Sequence, residues 1–217
     1  MNRESLARSV TALRVFPLPG TVLLPGATLP LHVFESRYRA LIADALAGDG
    51  LVCVPQIVEG QEGDHLGAPL LYPYAAVGRI SSHQLLPDGR YNILLEPLAR
   101  VRLVEELETT TPYRVFAAEL MEEHDDNPGA LAAVGRRVLG LVSPILAAQG
   151  TRGGALMRGL QTMSADKVAA ALAPLVVEGT LPRQEYLAEG GALHRAELVE
   201  AALLTRLAES RVVVAEA

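Results

Sequence analysis

The chain has 217 residues, 50% hydrophobic and 20% charged. That is enough apolar material for one large or two small domains, and the pattern excludes a disordered chain. A net charge of -6 at pH 7 disfavours a general nucleic-acid binder, which needs positive surface to displace phosphate counterions. Cys53 is the only cysteine, which rules out an intramolecular disulfide and a cysteine-based zinc site within one chain, and its place in Leu51-Val52-Cys53-Val54 reads as a buried core thiol.

Met1 to Val10 is polar, mixed in charge and unlike a signal peptide. No run approaches the roughly 18 apolar residues of a membrane helix, so no membrane partner and a cytoplasmic location are expected. Leu13 to Leu18 reads as a strand, and Leu29 to Phe34 as a second extended piece. Prolines 17, 19, 25 and 30 forbid a helix here and suit edge strands or bulges. A helix follows, with Tyr38, Leu41, Ile42, Ala45 and Leu46 on one face, Ser36 as its cap and Gly48 at its end. Glu35 is placed to accept backbone hydrogen bonds at the helix start or to pair with Arg39.

Strands resume at Leu51 to Gln56, and Glu59 to Gly67 is a polar, Gly-rich loop. Ala75 to His83 and Arg90 to Leu95 flank Leu86-Pro87-Asp88-Gly89, a turn whose Pro and Gly preset the backbone. Ala99 to Leu107 and Tyr113 to Met121 read as two further strands. Near His124 the character changes. The charged run Glu122 to Asp126 ends in Asn127-Pro128-Gly129, and Ala and Leu then dominate at helical spacing. Helices are expected over Ala130 to Ala148, kinked or ended by Pro144, then Ala155 to Gln161, Ala165 to Val176, Pro182 to Ala188 and Ala192 to Ala208. The last is apolar nearly all round and calls for burial in a bundle or against a partner.

Motifs that would carry chemistry are sparse. Lys167 is the only lysine among 19 basic residues; Asp166 precedes it and Val168 follows, so there is no Walker A loop. Ser164-Ala165-Asp166-Lys167 matches S-x-x-K but reads better as a helix start capped by Ser164. No G-x-S-x-G elbow occurs, and the histidines at 32, 65, 83, 124 and 194 form no H-E-x-x-H pair. His65 with Glu59, Glu62 and Asp64 reads as a solvated loop, and His124-Asp125-Asp126-Asn127 lacks calcium-loop spacing. No catalytic residue, metal ligand or cofactor is therefore expected. Arg100, Arg102 and Arg114 are candidates for a basic strip that would favour RNA, against the acidic total. Tyr72 and Tyr74, around Pro73, are the candidate binding residues, where exposed tyrosines would grip an apolar peptide; core or turn packing is the competing reading.

Several motifs, in order, carry a family resemblance. Val15-Phe16-Pro17-Leu18 is followed by Val22-Leu23-Leu24-Pro25-Gly26, then by Leu29-Pro30-Leu31-His32-Val33-Phe34-Glu35 with Arg37-Tyr38-Arg39. Next come Val77-Gly78-Arg79-Ile80, Leu86 to Glu96, Ala99 to Leu103, Pro112-Tyr113-Arg114 and Leu181 to Leu187. Together they resemble the N-terminal substrate-binding domain of the Lon protease family, in a stand-alone bacterial form. The resemblance implies an α+β fold: a PUA-like curved β-sheet or pseudo-barrel with one helix, followed by a C-terminal helical bundle. It places a LON-type β-rich domain at 11-123 and the bundle at 129-210. It implies a non-catalytic module that binds a polypeptide substrate or partner protein; a peptidase-associated enzyme and an RNA-binding PUA-like protein are the alternatives. The ATPase and Ser-Lys protease modules that follow in full Lon proteases have no counterpart in the motifs here. Glu96-Pro97 departs from the family's usual Glu-Gly, and because proline cannot take positive φ, a turn there must differ.

Overall fold

A computed structural model describes residues 3–61, 67–125 and 127–215, with the backbone alone for 210–215. The chain divides into two compact units, Met1–Met121 and Glu122–Ala217. His65, Glu62, Asp64 and Asp126 lie outside the described residues.

The first unit begins with helix α1 (Arg3–Ser9) and a single 3-10 turn, Val10–Ala12. Then come β1 (Leu13–Arg14), β2 (Leu29–Val33), helix α2 (Ser36–Ala47), β3 (Leu51–Val54), β4 (Tyr74–Leu85), β5 (Tyr91–Leu107) and β6 (Val115–Leu120). The strands form one six-stranded sheet in the order β1-β6-β5-β4-β3, with β2 paired to β5 off that path. The chain stays extended past β1 and bonds both ends of the sheet. Val15 N–H donates to the Arg114 carbonyl beside β6 at 2.9 Å, while Phe16 N–H donates to Cys53 on β3 at 2.8 Å. Leu18 N–H then reaches the Pro55 carbonyl at 3.1 Å. This run closes the sheet into a pseudo-barrel and satisfies edges that would otherwise remain open.

Period-two alternation fills the interior. Leu13 and Val15, Leu51 and Cys53, Ala75 and Val77, Val101 and Leu103, and Phe116 and Ala118 form one buried cluster. Burial pushes the Cys53 thiol far up, so it stays protonated and acts as a small apolar core group.

The structure corrects several local expectations. The strands expected over Arg90 to Leu95 and Ala99 to Leu107 are parts of one continuous strand, β5, which starts at Tyr91. Its register against β4 slips at Val77/Gly78, where Gly78 faces Pro97 and Val77 faces Ala99, leaving Leu98 without a partner and 41% exposed. Proline has no N–H for the ladder, so a bulge, rather than a turn, accommodates Glu96-Pro97. The first part of β5 is sandwiched: Tyr91 to Leu95 pairs with β2 on one side and β4 on the other. Glu35, not Ser36, caps α2; its main-chain carbonyl accepts from Tyr38 and Arg39. Its carboxylate pairs with Arg37 rather than Arg39. Arg39 instead donates to the Asp88 carbonyl at 3.3 Å in the β4–β5 turn, where Gly89 sits at φ 80°.

The second unit contains α3 (Pro128–Ala147), α4 (Gly150–Gln161), α5 (Ala165–Val176), α6 (Thr180–Ala188) and α7 (Ala192–Ala215). Asn127 caps α3, its side-chain oxygen accepting from Ala130 N–H at 3.0 Å, with Pro128 in the first turn. Pro144 does not end α3. It lies in the last turn, where the carbonyl it leaves free belongs to exposed Gly140, and Ala148 N–H still bonds the Pro144 carbonyl. With 20 residues and a mean hydropathy of 1.5, α3 is long and apolar enough to cross a membrane by length and composition, contrary to the sequence expectation. Its buried residues Leu131, Val134, Val138, Val142 and Leu146 form one face, and α3 packs against α4, α5 and α7. Over residues 192–209 of α7, the stripe Ala192, Ala196, Val199 and Leu203 is buried along with Arg195, and Leu204 stays 51% exposed.

Leu13→Ala should lower stability in urea unfolding by about 2–5 kcal/mol, because it opens a cavity in the barrel. Leu175→Ala, at a position 63% exposed, should stay within about 0.5 kcal/mol. Arg114 grips Glu106 through two bonds of 2.6 and 2.8 Å, which holds that carboxylate below its ordinary 4.5. A depressed folded value stabilises the fold above the ordinary value, and the gain disappears as pH falls through the folded one. The stability advantage of wild type over Glu106→Gln should thus be larger at about pH 7 than at about pH 3 in parallel denaturation curves.

Candidate functional site

The residues that close the barrel also build a groove of about 530 Å³ in the first unit. One wall is Phe16, Pro17, Leu18 and Pro19, held against β3 by the bonds described above. Leu31, His32 and Phe34, on β2 and just beyond it, form the opposite wall, and Glu35, Arg37 and Tyr38 at the start of α2 close one end. Ile57 and Pro69 complete the lining.

Its chemistry is mostly apolar. Phe16 and Tyr38 stack with ring centroids 4.3 Å apart, which ties the barrel wall to α2. Arg37 lies 4.5 Å over the Tyr38 ring and pairs with Glu35 at 3.1 Å, so the two charges at the closed end offset each other. Burial raises the Tyr38 phenol above its ordinary value, partly countered by Arg37, so it remains a neutral wall. At the rim Phe34 is 62% exposed. The neighbouring imidazole is fixed in orientation. Arg90 can only donate, so His32 Nε2 accepts from it at 3.2 Å and Nδ1–H donates to the Asn92 side-chain oxygen at 2.7 Å.

The residues singled out from sequence lie elsewhere. Tyr72 and Tyr74 are half-buried and line no part of this groove; Tyr72 N–H donates to the Gln56 carbonyl, and Tyr74 faces Arg102 across the β4–β5 ladder. The three arginines do not make an open basic strip. Arg100 is buried, Arg102 pairs with Glu119 at 2.7 Å and Arg114 is held by Glu106. Ser164 precedes α5 without a side-chain cap bond, and it and Lys167 are both exposed. His194 stands within 4.0 Å of Glu185, Glu189 and Glu197, but among the described residues no group of three His, Cys, Asp or Glu is placed to hold a metal ion. A smaller pocket in the second unit, of about 340 Å³ beside α5 and α7, is lined in part by Arg206, which bonds the Leu175 carbonyl and pairs with Glu178.

Comparison with known proteins gives this geometry a lineage. The model of the ATP-dependent protease La (LON) substrate-binding domain matches residues 12–200. The chain belongs to the LON substrate-binding domain family. Lon protease 2 of Myxococcus xanthus is 32% identical over 123 residues, covering 57% of this chain and 14% of that protein. Lon protease 2 of Herpetosiphon aurantiacus is 32% identical over 138 residues, or 63% and 16%. The chain thus spans only about a sixth of the curated relatives it matches. Among solved structures, the Lon N-terminal domain protein of Xanthomonas campestris is 26% identical with a TM-score of 0.60, covering 88% of this chain and 98% of that one. The N-terminal domain of a Mycobacterium avium complex Lon protease shares the fold, with 12% identity and a TM-score of 0.70 over 88% of this chain and 97% of that one. Within this LON domain the groove is built from the motifs that carried the sequence resemblance, Val15 to Leu18 and Leu29 to Tyr38. What the sequence could not reveal is that these motifs face each other across an open cleft.

The Phe16–Tyr38 stack gives a direct check. Tyr38→Ala should lower the urea midpoint by an amount equivalent to about 3–5 kcal/mol, because it removes a buried ring; Tyr38→Phe, which keeps the stack, should recover most of that loss.

Proposed function

We propose that this chain is a non-catalytic recognition module in a cytoplasmic setting, and that its groove holds apolar side chains of extended or unfolded polypeptides. The observation that carries this reading is the exposed Phe34 at the rim of an apolar cleft whose nearby charges offset each other. A large aromatic left in water beside an apolar wall is the kind of feature that protein-binding sites use. The Lon relatives support the polypeptide class, since the matched region is their substrate-binding domain. Ser164 and Lys167, the pair whose spacing matches a catalytic motif, are both exposed on a helix start, which lends an enzymatic reading no support. The RNA reading loses its basic strip to burial and ion pairing.

Fluorescence polarisation with a labelled uncharged peptide of Leu, Phe, Val and Ser tests this. Phe34→Ala should weaken binding by about tenfold or more, from the apolar area of one ring. Tyr72→Ala and Tyr74→Ala should stay within about twofold. The opposite pattern would move the site to the tyrosines, and cleavage of the peptide by a clean preparation would overturn the non-catalytic reading.

A further inference from the structure

The groove has a property that its apolar lining alone does not describe: one wall is an unpaired strand edge. Among the described residues β2 pairs with β5 alone, from Leu29↔Leu95 to Val33↔Tyr91. No other main-chain or side-chain group among the described residues bonds the backbone of Leu29 to Phe34 on its other side. Pro30 fixes which groups face outward. Proline cannot donate to a ladder, so it is tolerated where its nitrogen points away from the neighbouring strand. Residues two apart present their N–H and C=O to the same side. The free edge therefore offers the Pro30 carbonyl and both the N–H and C=O of His32. The side chains agree. His32 lies opposite Asn92 and bonds it at 2.7 Å, the close approach expected of a pair that does not exchange main-chain bonds.

The edge also faces the groove. Leu31 and His32 are consecutive, so their side chains leave opposite faces of the strand, yet both line the cleft. A cleft that meets both faces meets the edge between them. Across it, the other wall has little to give a main chain. Pro17 and Pro19 have no N–H, Phe16 N–H is committed to Cys53, and the N–H and C=O of Leu18 are committed to Pro55 and Ile57. Among these two segments β2 thus supplies the free main-chain N–H, while Phe16–Pro19 and Phe34 supply apolar surface.

We propose that the occupant is an extended, uncharged polypeptide segment that adds to β2 as a further strand, bonding His32 through its main chain and laying alternate apolar side chains against Phe16, Leu18 and Phe34. This rests on the groove-binding reading above and specifies its mode. Partial charges select the occupant: an edge that alternates acceptor and donor at strand spacing matches another extended backbone, and the offset Glu35–Arg37 pair at the closed end asks for no net charge. The outer edge of Ser81 to Leu85 on β4 extends beyond its pairing with β3, but none of those residues lines the groove. Recognition through the main chain would tolerate many sequences while requiring an unfolded segment.

The test is an N-methyl scan of the labelled Leu/Phe/Val/Ser peptide, carrying one Phe to fix its register, against the full chain. Removing an N–H that bonds His32 should weaken binding about tenfold, and the losses should alternate along the peptide, with intervening positions within about twofold. In parallel, His32→Ala keeps the outward N–H and His32→Pro removes it; the proline variant should bind about tenfold more weakly than the alanine variant. If the proline variant does not fold, the methyl scan decides. Binding without alternation would overturn strand addition and leave the side-chain groove standing. No binding of the unmethylated peptide would overturn both.

Discussion

The run Leu13–Leu18 is the element on which the first unit depends. It bonds β6 on one side and β3 on the other, through Val15 to Arg114 and Phe16 to Cys53. Without it the sheet would have two open edges and lose Leu13 and Val15 from its buried interior. The alternation that turns Leu13 and Val15 inward turns the other side of the run outward. Phe16 therefore emerges on the outer surface of the barrel, where it stacks on Tyr38 and becomes a wall of the groove. One strand thus both closes the core and presents the site.

The same economy runs through α2. Its inner face buries Leu41, Ile42 and Ala45, and its first turn contributes Glu35, Arg37 and Tyr38 to the groove. Arg39 ties the helix to the β4–β5 turn through Asp88, and the imidazole of His32 is held by Asn92 on the strand that follows that turn and by Arg90 just before it. The groove is therefore supported from three directions by groups that already serve the fold. That suits a recognition surface, because side chains fixed before binding cost less to order when the partner arrives.

Much of the fold was legible in the sequence because its signals are local. The helical spacing of Tyr38, Leu41, Ile42 and Ala45 and the Pro-Asp-Gly turn before β5 need only a few neighbouring residues to be read. The order of short motifs was enough for the family. What escaped depends on partners distant in the chain. Glu35 chose Arg37 over Arg39 because Arg39 reaches Asp88, 49 residues on. Pro97 looked like a strand break, yet a bulge opposite Gly78 carries β5 through it. Tyr72 and Tyr74 stand out in the sequence as aromatics near a strand, while Phe34, 62% exposed at the site's rim, lies inside a motif that reads as fold. Alternation in Leu29 to Phe34 shows which side chains share a face, but the pairing of β2 with β5 alone among the described residues is what leaves one edge of it without a strand partner there.

The central claim is that polypeptide binds in the cleft between Phe16–Pro19 and β2. It is tested most directly by two-dimensional amide and methyl NMR of the isotope-labelled chain, titrated with the uncharged Leu/Phe/Val/Ser peptide. The account predicts that the largest shifts fall on Phe16, Leu18, Leu31, His32 and Phe34, with slowed hydrogen exchange at the His32 amide. Shifts confined to Tyr72 and Tyr74, or to the helices of the second unit, with the groove unchanged, would contradict it.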